Sequence, residues 1–232
     1  MRVWDLNPGY LNRQSLLGEH RELHAIVSII KNNKKGYSRH PETLRWMNFG
    51  WALGQRHRLL AAEMNLRGYV DRTPVLLKTQ SNKWPEVFVD PPVTQLSILA
   101  EKYKDKEKGR IPLPKNVQQF WAQHKYSVMA RDIAEYKRIG HRVSSSKTGS
   151  EIIDLYPELV SLLRCPPGEG NLRNAVQHMW GYVSSYSSFD GKTIESKTTR
   201  SLLKEIQRLV FLHDVVYLKE STALGELLAW IR

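Results

Sequence analysis

The sequence predicts an all-α protein. Apolar residues recur at helical spacing in separate segments along the 232 residues, beginning with the segment from about Ser15 to Ile30. No strand-like alternation is convincing in the second half, and Gly, Pro and Asn separate the periodic segments. The chain is 41% hydrophobic and has seven Trp, which is ordinary for a globular protein. Its length allows one large domain or two small ones.

The first half contains three predicted helices. The first stops at the Asn- and Gly-containing run 31–36, and the second begins at Pro41, a favoured first-turn residue, and ends before Gly68. We expect a kink near Gly50 or Gly54 and mostly loop over 73–92, with room for a short hairpin. A third helix is predicted to run from about 92 to 108.

The extended run 109–114 is the best candidate for a domain boundary, and it predicts domains of 1–112 and 113–232. Breaks at Gly140, at 166–168 and at 190–191 divide the second domain into a helical bundle. The predicted helices there are 116–139, 150–163, 171–185, 198–213 and 221–231.

The charge favours a polyanionic partner. The chain has 35 Lys or Arg against 23 Asp or Glu, a formal charge of +12, and neutralised phosphates release counterions. The basic excess is 8 in residues 1–110 and 4 in the remainder. The run 31–39 has no acid and contains Lys34, Lys35, Arg39 and Tyr37. It suits either a solvated loop or a phosphate-contacting loop.

Composition also excludes several classes of protein. With one cysteine, the chain has no internal disulfide, thiolate zinc cage or iron–sulfur cluster. No apolar run reaches the ~18 residues of a membrane span, and the first residues lack the apolar core of a signal peptide. We therefore expect a cytoplasmic protein without a membrane partner.

The pair His20 and His24 raises the question of a metal. Four-residue spacing puts both rings on one helix face, but the zinc-protease pattern requires Glu directly after the first His, and here Arg21 follows. No third ligand is evident, so the prediction is no metal and no cofactor.

The first 25 residues contain the most specific pattern. Residues 1 to about 110 resemble the pyrimidine-dimer DNA glycosylase family typified by phage endonuclease V, and the N-terminal residues align without a gap. The coinciding residues include Arg2, Gln14, Leu16, Glu19, Arg21, Glu22 and Leu23. The resemblance implies an endonuclease V-like helical domain followed by the helical bundle.

The resemblance further implies a glycosylase with coupled abasic-site lyase activity, acting on double-stranded damaged DNA. Its nucleophile would be the α-amine of Met1, which is expected to be retained before bulky Arg2. An α-amine has an ordinary pKa of about 8, so a usable fraction is neutral at pH 7. Glu22 would stabilise the cationic sugar and assist proton transfer. Arg2, Gln14 and Arg21 would grip the DNA as the lesion leaves the stack.

Two alternatives remain open from the residues. Ser15 and Ala25 depart from the family's His and Arg, so the same chemistry could act on another damaged or modified base. A non-catalytic helical protein that binds DNA or RNA would have a similar composition. The sequence does not indicate an oligomeric state.

Residues from about Asn116 resemble a helical domain of unassigned function that also occurs attached to thiouracil desulfidases. Its attachment to enzymes that modify nucleic acids suggests an accessory domain that binds nucleic acid, with RNA as an alternative partner. Lys125 and Tyr126 combine a cation with an aromatic ring, a set that can pair with phosphate and stack on bases. They are the best candidates for DNA contacts in the second half.

Overall fold

The all-α prediction is confirmed by a computed structural model, which describes residues 1–77, 82–146, 151–189 and 191–231. These residues form twelve α-helices and three short 3-10 turns, without a strand. They divide into two compact units, Met1–Gly109 and Arg110–Arg232. Among the described helices, none has the length and apolar character needed to cross a membrane.

The first unit begins with an extended segment and a 3-10 turn at Pro8–Tyr10. Asn12 then caps the first long helix, because its side chain accepts a hydrogen bond from the Ser15 backbone N–H. That helix ends where Asn33 adopts left-handed φ and ψ of 49° and 41°. The α-helices of this unit are α1 (Arg13–Asn32), α2 (Pro41–Trp46), α3 (Gly50–Leu66) and α4 (Pro92–Lys102).

The prediction of one kinked helix over 41–67 was wrong, because the chain forms two helices. Between α2 and α3, Phe49 has φ of −117° and ψ of 44°, outside the helical region. Asn48 and Gly50 border this residue, and both residue types favour helix ends over helix interiors. The break frees α2 to bring its buried residues Glu42 and Arg45 to the N-terminal segment.

The helix predicted to reach Lys108 ends earlier, at Lys102. Tyr103 is 3% exposed, and its hydroxyl accepts a 3.1 Å hydrogen bond from the Asn12 backbone N–H. The following turn returns to the same place, where Asn12 Nδ2 donates to the Glu107 carbonyl at 3.1 Å. At Gly109, an added Cβ would lie 2.4 Å from the Tyr10 carbonyl oxygen, so the chain can pass here only as glycine.

Helices α1 and α3 form the centre of the first unit, since Leu16, Leu23, Ile26, Leu53 and Leu60 are all fully buried. The segment 73–91 has neither helix nor strand in its described part, and Pro92 already begins α4. Residues 78–81 of the predicted loop lie outside the described residues.

The second unit departs from the predicted helices at its breaks. The helix expected over 116–139 is two helices, since the Asp132 side chain accepts from Ala134 N and Glu135 N and starts a new helix. The predicted final helix is one short helix and a 3-10 turn. Ser150 and Asp190 lie outside the described residues. The helices are α5 (Val117–Met129), α6 (Ile133–Ser145), α7 (Glu151–Leu163), α8 (Glu169–Trp180), α9 (Gly191–Ser196), α10 (Thr199–Leu212), α11 (Val216–Lys219) and α12 (Ala223–Glu226).

Arg131 shows why the chain breaks between α5 and α6. Its buried guanidinium donates to the carbonyls of Ser127 at 2.7 Å, Leu163 at 2.8 Å and Cys165 at 2.9 Å. It also lies 2.8 Å from Glu226. One side chain therefore connects α5, the end of α7 and α12.

Candidate functional site

The N-terminal segment is held by side-chain oxygens along four consecutive residues. Each backbone N–H from residue 2 to residue 5 donates to a side chain from α1, α2 or α4. The pairs are Arg2 with Glu22 at 2.6 Å, Val3 with Glu42 at 3.2 Å, Trp4 with Glu19 at 3.2 Å and Asp5 with Gln95 at 2.8 Å. Because adjacent donors point to different helices, the segment is fixed in direction as well as in place.

Two buried arginines pair with two of these carboxylates, those of Glu19 and Glu42. Arg56 binds both oxygens of Glu19, at 2.6 and 2.8 Å, and also donates to the Leu6 carbonyl at 2.7 Å. Arg45 lies 3.3 Å from Glu42 and also pairs with Asp5. Burial raises the pKa of Glu19 to about 7 against the opposing effect of Arg56. It also raises the pKa of Glu42, against that of Arg45.

A cavity of about 320 Å³ lies beside the N-terminal segment. Three of the predicted site residues, Arg2, Gln14 and Glu22, line it. Glu22 binds the Arg2 N–H through Oε2, at 2.6 Å. The full lining is Arg2, Trp4, Gln14, Ser15, Gly18, Glu19, Glu22, Ile98 and Lys102.

The Met1 amine is close to Glu22 through this same bond. The amine nitrogen precedes the Arg2 nitrogen by one residue, roughly 3 to 3.5 Å of covalent geometry, so it lies within about 6 Å of the Glu22 carboxylate. The two predicted catalytic groups are therefore brought together.

His40 also contacts the amine, with Nε2 at 3.4 Å from the Met1 nitrogen. Its Nδ1 accepts a hydrogen bond from the Glu42 backbone N–H at 3.2 Å, so the neutral ring carries its proton on Nε2. A protonated Nε2 can donate to an amine only when the amine nitrogen has a free lone pair. The contact is thus suited to the nucleophilic form of the amine.

The Arg2 side chain is paired within the protein. Its guanidinium lies 2.6 Å from Asp90 and 4.7 Å from the centre of the Trp4 ring. Lys102 approaches the same ring to 5.9 Å. The lining of the cavity therefore has two cations near one indole ring, and Arg2 must exchange Asp90 for phosphate if it contacts DNA.

The loop between α1 and α2 presents the predicted basic residues to solvent. Lys34, Lys35 and Arg39 are exposed, and Tyr37 is 70% exposed with a left-handed φ of 58°. The loop ends at His40, the residue that touches the amine. The loop therefore presents exposed cations and an exposed aromatic ring in the residues that immediately precede the contact with the Met1 amine. Arg21 on α1 is also exposed, and its Nε donates to the Leu17 carbonyl at 3.3 Å.

In the second unit, the prediction for Tyr126 needs correction. Its side chain is 3% exposed, so the ring is not available to stack on a base. Lys125 is half-buried and lies over the Tyr126 and Tyr217 rings, at 4.9 and 5.0 Å. Tyr182, which is 44% exposed and stacks on Tyr217 at 4.9 Å, is the accessible aromatic residue of this group.

Sequence reasoning missed several residues that complete the first unit's site. These residues are His40 just before α2, Glu42 on α2, Asp90 before α4 and Lys102 at the end of α4. No spacing rule connects them to Met1. The structure also adds His57 and Asp71 to the pair His20 and His24, and these four groups could hold a metal ion. The four-residue spacing of His20 and His24 could be read from the sequence. The contacts that bring His57 and Asp71 to this pair come from separate segments and could not.

Comparisons with known proteins divide along the same lines as the structure. No curated protein and no solved structure is significantly similar to the chain. Residues 125–225 match a family described as proteins of unknown function (DUF1722). Residues 1–77, which contain the amine, Glu22, His40 and the basic loop, match the family described as pyrimidine dimer DNA glycosylase, and the N-terminal resemblance is thereby confirmed.

Proposed function

We propose that this protein is a DNA repair glycosylase with coupled abasic-site lyase activity, which removes UV-induced pyrimidine dimers through an imine on the Met1 amine. The observation that carries the proposal is the fixed N-terminal segment, which holds the amine within about 6 Å of Glu22 at the edge of a cavity. The family match of residues 1–77 supplies the substrate class.

In the first step, the neutral amine attacks C1′ of the damaged nucleotide, and the bond from C1′ to the base breaks. The base leaves with the bonding electrons and takes up one proton from the amine, and the second amine proton passes to O4′ as the bond from C1′ to O4′ breaks and the sugar ring opens to the imine. Nε2–H of His40, 3.4 Å from the amine nitrogen, would orient the amine through its lone pair before the attack, and this contact must break as the lone pair bonds to C1′. Positioning of the nucleophile by the bonds at residues 2 to 5 lowers the entropic part of the barrier.

In the second step, the imine acidifies the 2′ proton, and loss of that proton breaks the bond from C3′ to its oxygen. Glu22 is the group proposed to assist this proton transfer and to stabilise positive charge on the sugar beforehand. Water then hydrolyses the imine and restores the amine. The phosphate at the break leaves with the 3′ oxygen, so the strand is nicked without a metal ion in any step.

DNA would be gripped by the loop between α1 and α2 and by residues of the cavity lining. Lys34, Lys35 and Arg39 are suited to phosphates, and the exposed Tyr37 ring is suited to fill space in a duplex from which a base has been displaced. Gln14, which lines the cavity, and Arg21, which is exposed on the same helix, are the further proposed DNA contacts of α1. In the second unit, Lys125 and Tyr182 are the proposed nucleic-acid contacts.

The test is an incision assay on four matched substrates: a duplex with one cyclobutane pyrimidine dimer, the undamaged duplex, a duplex with one abasic site, and tRNA. We expect nicking of the duplex with the pyrimidine dimer and of the duplex with the abasic site, and no cleavage of the undamaged duplex or of tRNA. Nicking of the abasic duplex alone would indicate another target base. Equal binding to all four with a steep salt dependence and no nicking would contradict the enzyme and favour a nucleic-acid-binding protein.

A further inference from the structure

Three histidine rings and one carboxylate meet beside α1, away from the residues that line the cavity. His20 and His24 come from α1, His57 comes from α3, and Asp71 follows α3. Nε2 of His24 lies 3.3 Å from Nε2 of His20 and 3.1 Å from Nε2 of His57. Asp71 is 3.2 Å from His20 through Oδ1 and 3.5 Å from His57 through Oδ2.

These distances match those between ligand atoms around a small cation. Zinc bonds of about 2.0 to 2.1 Å in a tetrahedron separate neighbouring ligand atoms by about 3.3 Å. The four measured contacts run from 3.1 to 3.5 Å, and one ligand atom from each of the four residues lies within 4.8 Å of every other. Small side-chain rotations would bring all four atoms to one centre.

Hydrogen bonding alone explains the cluster poorly. Each neutral imidazole nitrogen is either a donor or an acceptor, yet Nε2 of His24 faces the Nε2 atoms of two other rings. It can satisfy both contacts only by accepting two protons on one lone pair or by sharing its single proton between two acceptor nitrogens. A central cation instead takes one lone pair from each ring, with Asp71 supplying the negative charge.

Burial of two of the rings, those of His24 and His57, favours the neutral form that binds metal, in agreement with the geometry. His57 is 4% exposed, and burial is the largest cause that lowers its pKa to about 4. Burial, followed by the charge of His20, also lowers the pKa of His24. Neutral imidazoles are the ligands that divalent transition metals bind.

We propose that His20, His24, His57 and Asp71 bind one divalent transition-metal ion, with Zn²⁺ as the best fit. Three nitrogens and one carboxylate suit Zn²⁺, whereas Mg²⁺ and Ca²⁺ prefer oxygen ligands alone. Four protein ligands leave no open position, which is typical of a structural site. The ion would join α1 to α3 and to the chain 51 residues beyond His20, without a part in the proposed amine chemistry.

The test is a titration of the metal-stripped full chain with Co²⁺, followed by displacement with Zn²⁺. We expect one equivalent of Co²⁺ to give the intense visible bands of tetrahedral coordination, Zn²⁺ to remove them, and Zn²⁺ to raise the melting temperature. His24→Gln and His57→Gln should each weaken Co²⁺ affinity at least about 10-fold. His178→Gln, an exposed residue of α8, is the matched control and should bind like the wild type.

The variant His40→Gln distinguishes the proposed site from a second possible metal site, formed by His40 and the Met1 amine. The proposal requires that His40→Gln leave the tetrahedral bands unchanged. Absence of one saturable equivalent in the wild type, or a signal that persists in both cluster variants, would overturn it. If a cluster variant does not fold, the wild-type stoichiometry and band intensity decide the question, because six-coordinate Co²⁺ gives only weak bands.

Discussion

Glu22 uses one carboxylate oxygen, Oε2, to hold the Arg2 backbone N–H at 2.6 Å. Within the described residues its other oxygen makes no hydrogen bond, and the side chain lines the cavity. The bond to Arg2 fixes the carboxylate beside the amine, and the second oxygen remains available for proton transfer. One residue can therefore serve both positioning and chemistry.

We predict that Glu22→Gln lowers the incision rate on dimer-containing DNA by about 100-fold or more, the usual effect of losing a general acid or base. Gln keeps an oxygen that accepts from Arg2 N–H, so the N-terminal segment should stay in place and DNA affinity should change little. Single-turnover incision and equilibrium binding measure the two effects separately.

Glu101→Gln is the control for this substitution, because Glu101 is exposed on α4 and is absent from the cavity lining. It should retain wild-type incision. Equal rates in Glu22→Gln and in the wild type would remove Glu22 from the proposed mechanism.

The residues found from the sequence and those missed differ in one physical respect. Arg2, Gln14 and Glu22 lie on the first segment and on α1, so a short alignment and helical spacing suffice to group them. His40 and Lys102 reach the same site only through tertiary packing, which the spacing of residues does not encode. Tyr126 failed as a surface residue because helical periodicity does not say which side of an aromatic-rich helix is covered.

Between elements, the contact of α1 with α3 depends on a buried ion pair as well as on apolar packing. Glu19 is 2% exposed and Arg56 is 4% exposed, and Glu19 also accepts from the Trp4 N–H. Loss of Glu19 would leave the desolvated charge of Arg56, and loss of Arg56 would leave Glu19 either charged without a partner or protonated without its hydrogen-bond donors, next to the N-terminal segment. This pair therefore links the stability of the first unit to the position of the amine.

We predict that Arg56→Met destabilises the first unit by about 3 to 5 kcal/mol, because the Glu19 carboxylate loses its buried partner. Arg58→Met is the control, since Arg58 is exposed on the same helix and should cost less than about 1 kcal/mol. Urea denaturation followed by circular dichroism compares the two. Similar losses in both variants would show that the buried pair has no special role.

His124 in α5 gives the second unit a pH dependence. The ring is 1% exposed, and burial lowers its pKa to about 4, below the ordinary value near 6.5. As the pH falls below about 6.5, the unfolded chain takes up this proton before the folded chain does. Its stabilising contribution is therefore present above pH 6.5 and declines towards pH 4, by on the order of 3 kcal/mol.

The corresponding prediction is that His124→Gln flattens this part of the stability profile between pH 7.5 and pH 5. His178→Gln removes an exposed histidine and should leave the profile unchanged. Denaturation midpoints at both pH values, measured on the full chain, provide the comparison. If His124→Gln loses as much stability between pH 7.5 and pH 5 as the wild type does, His124 is not the source of this pH dependence.

The helix boundaries show how far periodicity reaches at the scale of elements. The cap at Asn12 and the stop at Asn33 follow from residue types, and α1 was predicted within two residues at each end. The breaks before α3 and α6 were missed because they serve long-range bonds, those of Arg45 to the N-terminal segment and of Arg131 to α7. Short helices such as α9 and α11 contain too few residues for a periodic signal.

At the scale of the whole molecule, two compact units correspond to two different family matches. The basic excess is larger in residues 1–110 than in the remainder, and the exposed cations of the loop between α1 and α2 account for part of it. The site, the basic loop and the proposed metal cluster all belong to the first unit. The proposed catalytic groups can therefore be tested without any assumption about the second unit.

The salt dependence of DNA binding should report on this loop. We predict that the triple variant Lys34→Ala, Lys35→Ala, Arg39→Ala lowers the slope of log affinity against log salt concentration by about 2 to 3, near 0.9 for each phosphate contact. The triple variant Lys104→Ala, Lys106→Ala, Lys108→Ala removes the same charge from another exposed run and should change the slope by less than 1. Equal changes would indicate a diffuse electrostatic effect.

The central claim is that the Met1 amine forms an imine with damaged DNA. Borohydride reduction during reaction with dimer-containing duplex, followed by mass spectrometry of the peptides, tests it most directly. The mechanism predicts a covalent adduct on the Met1 amine, its loss when residues are added before Met1, and its return when a protease removes them. An adduct on a lysine, or no adduct under conditions where the DNA is bound, would contradict it.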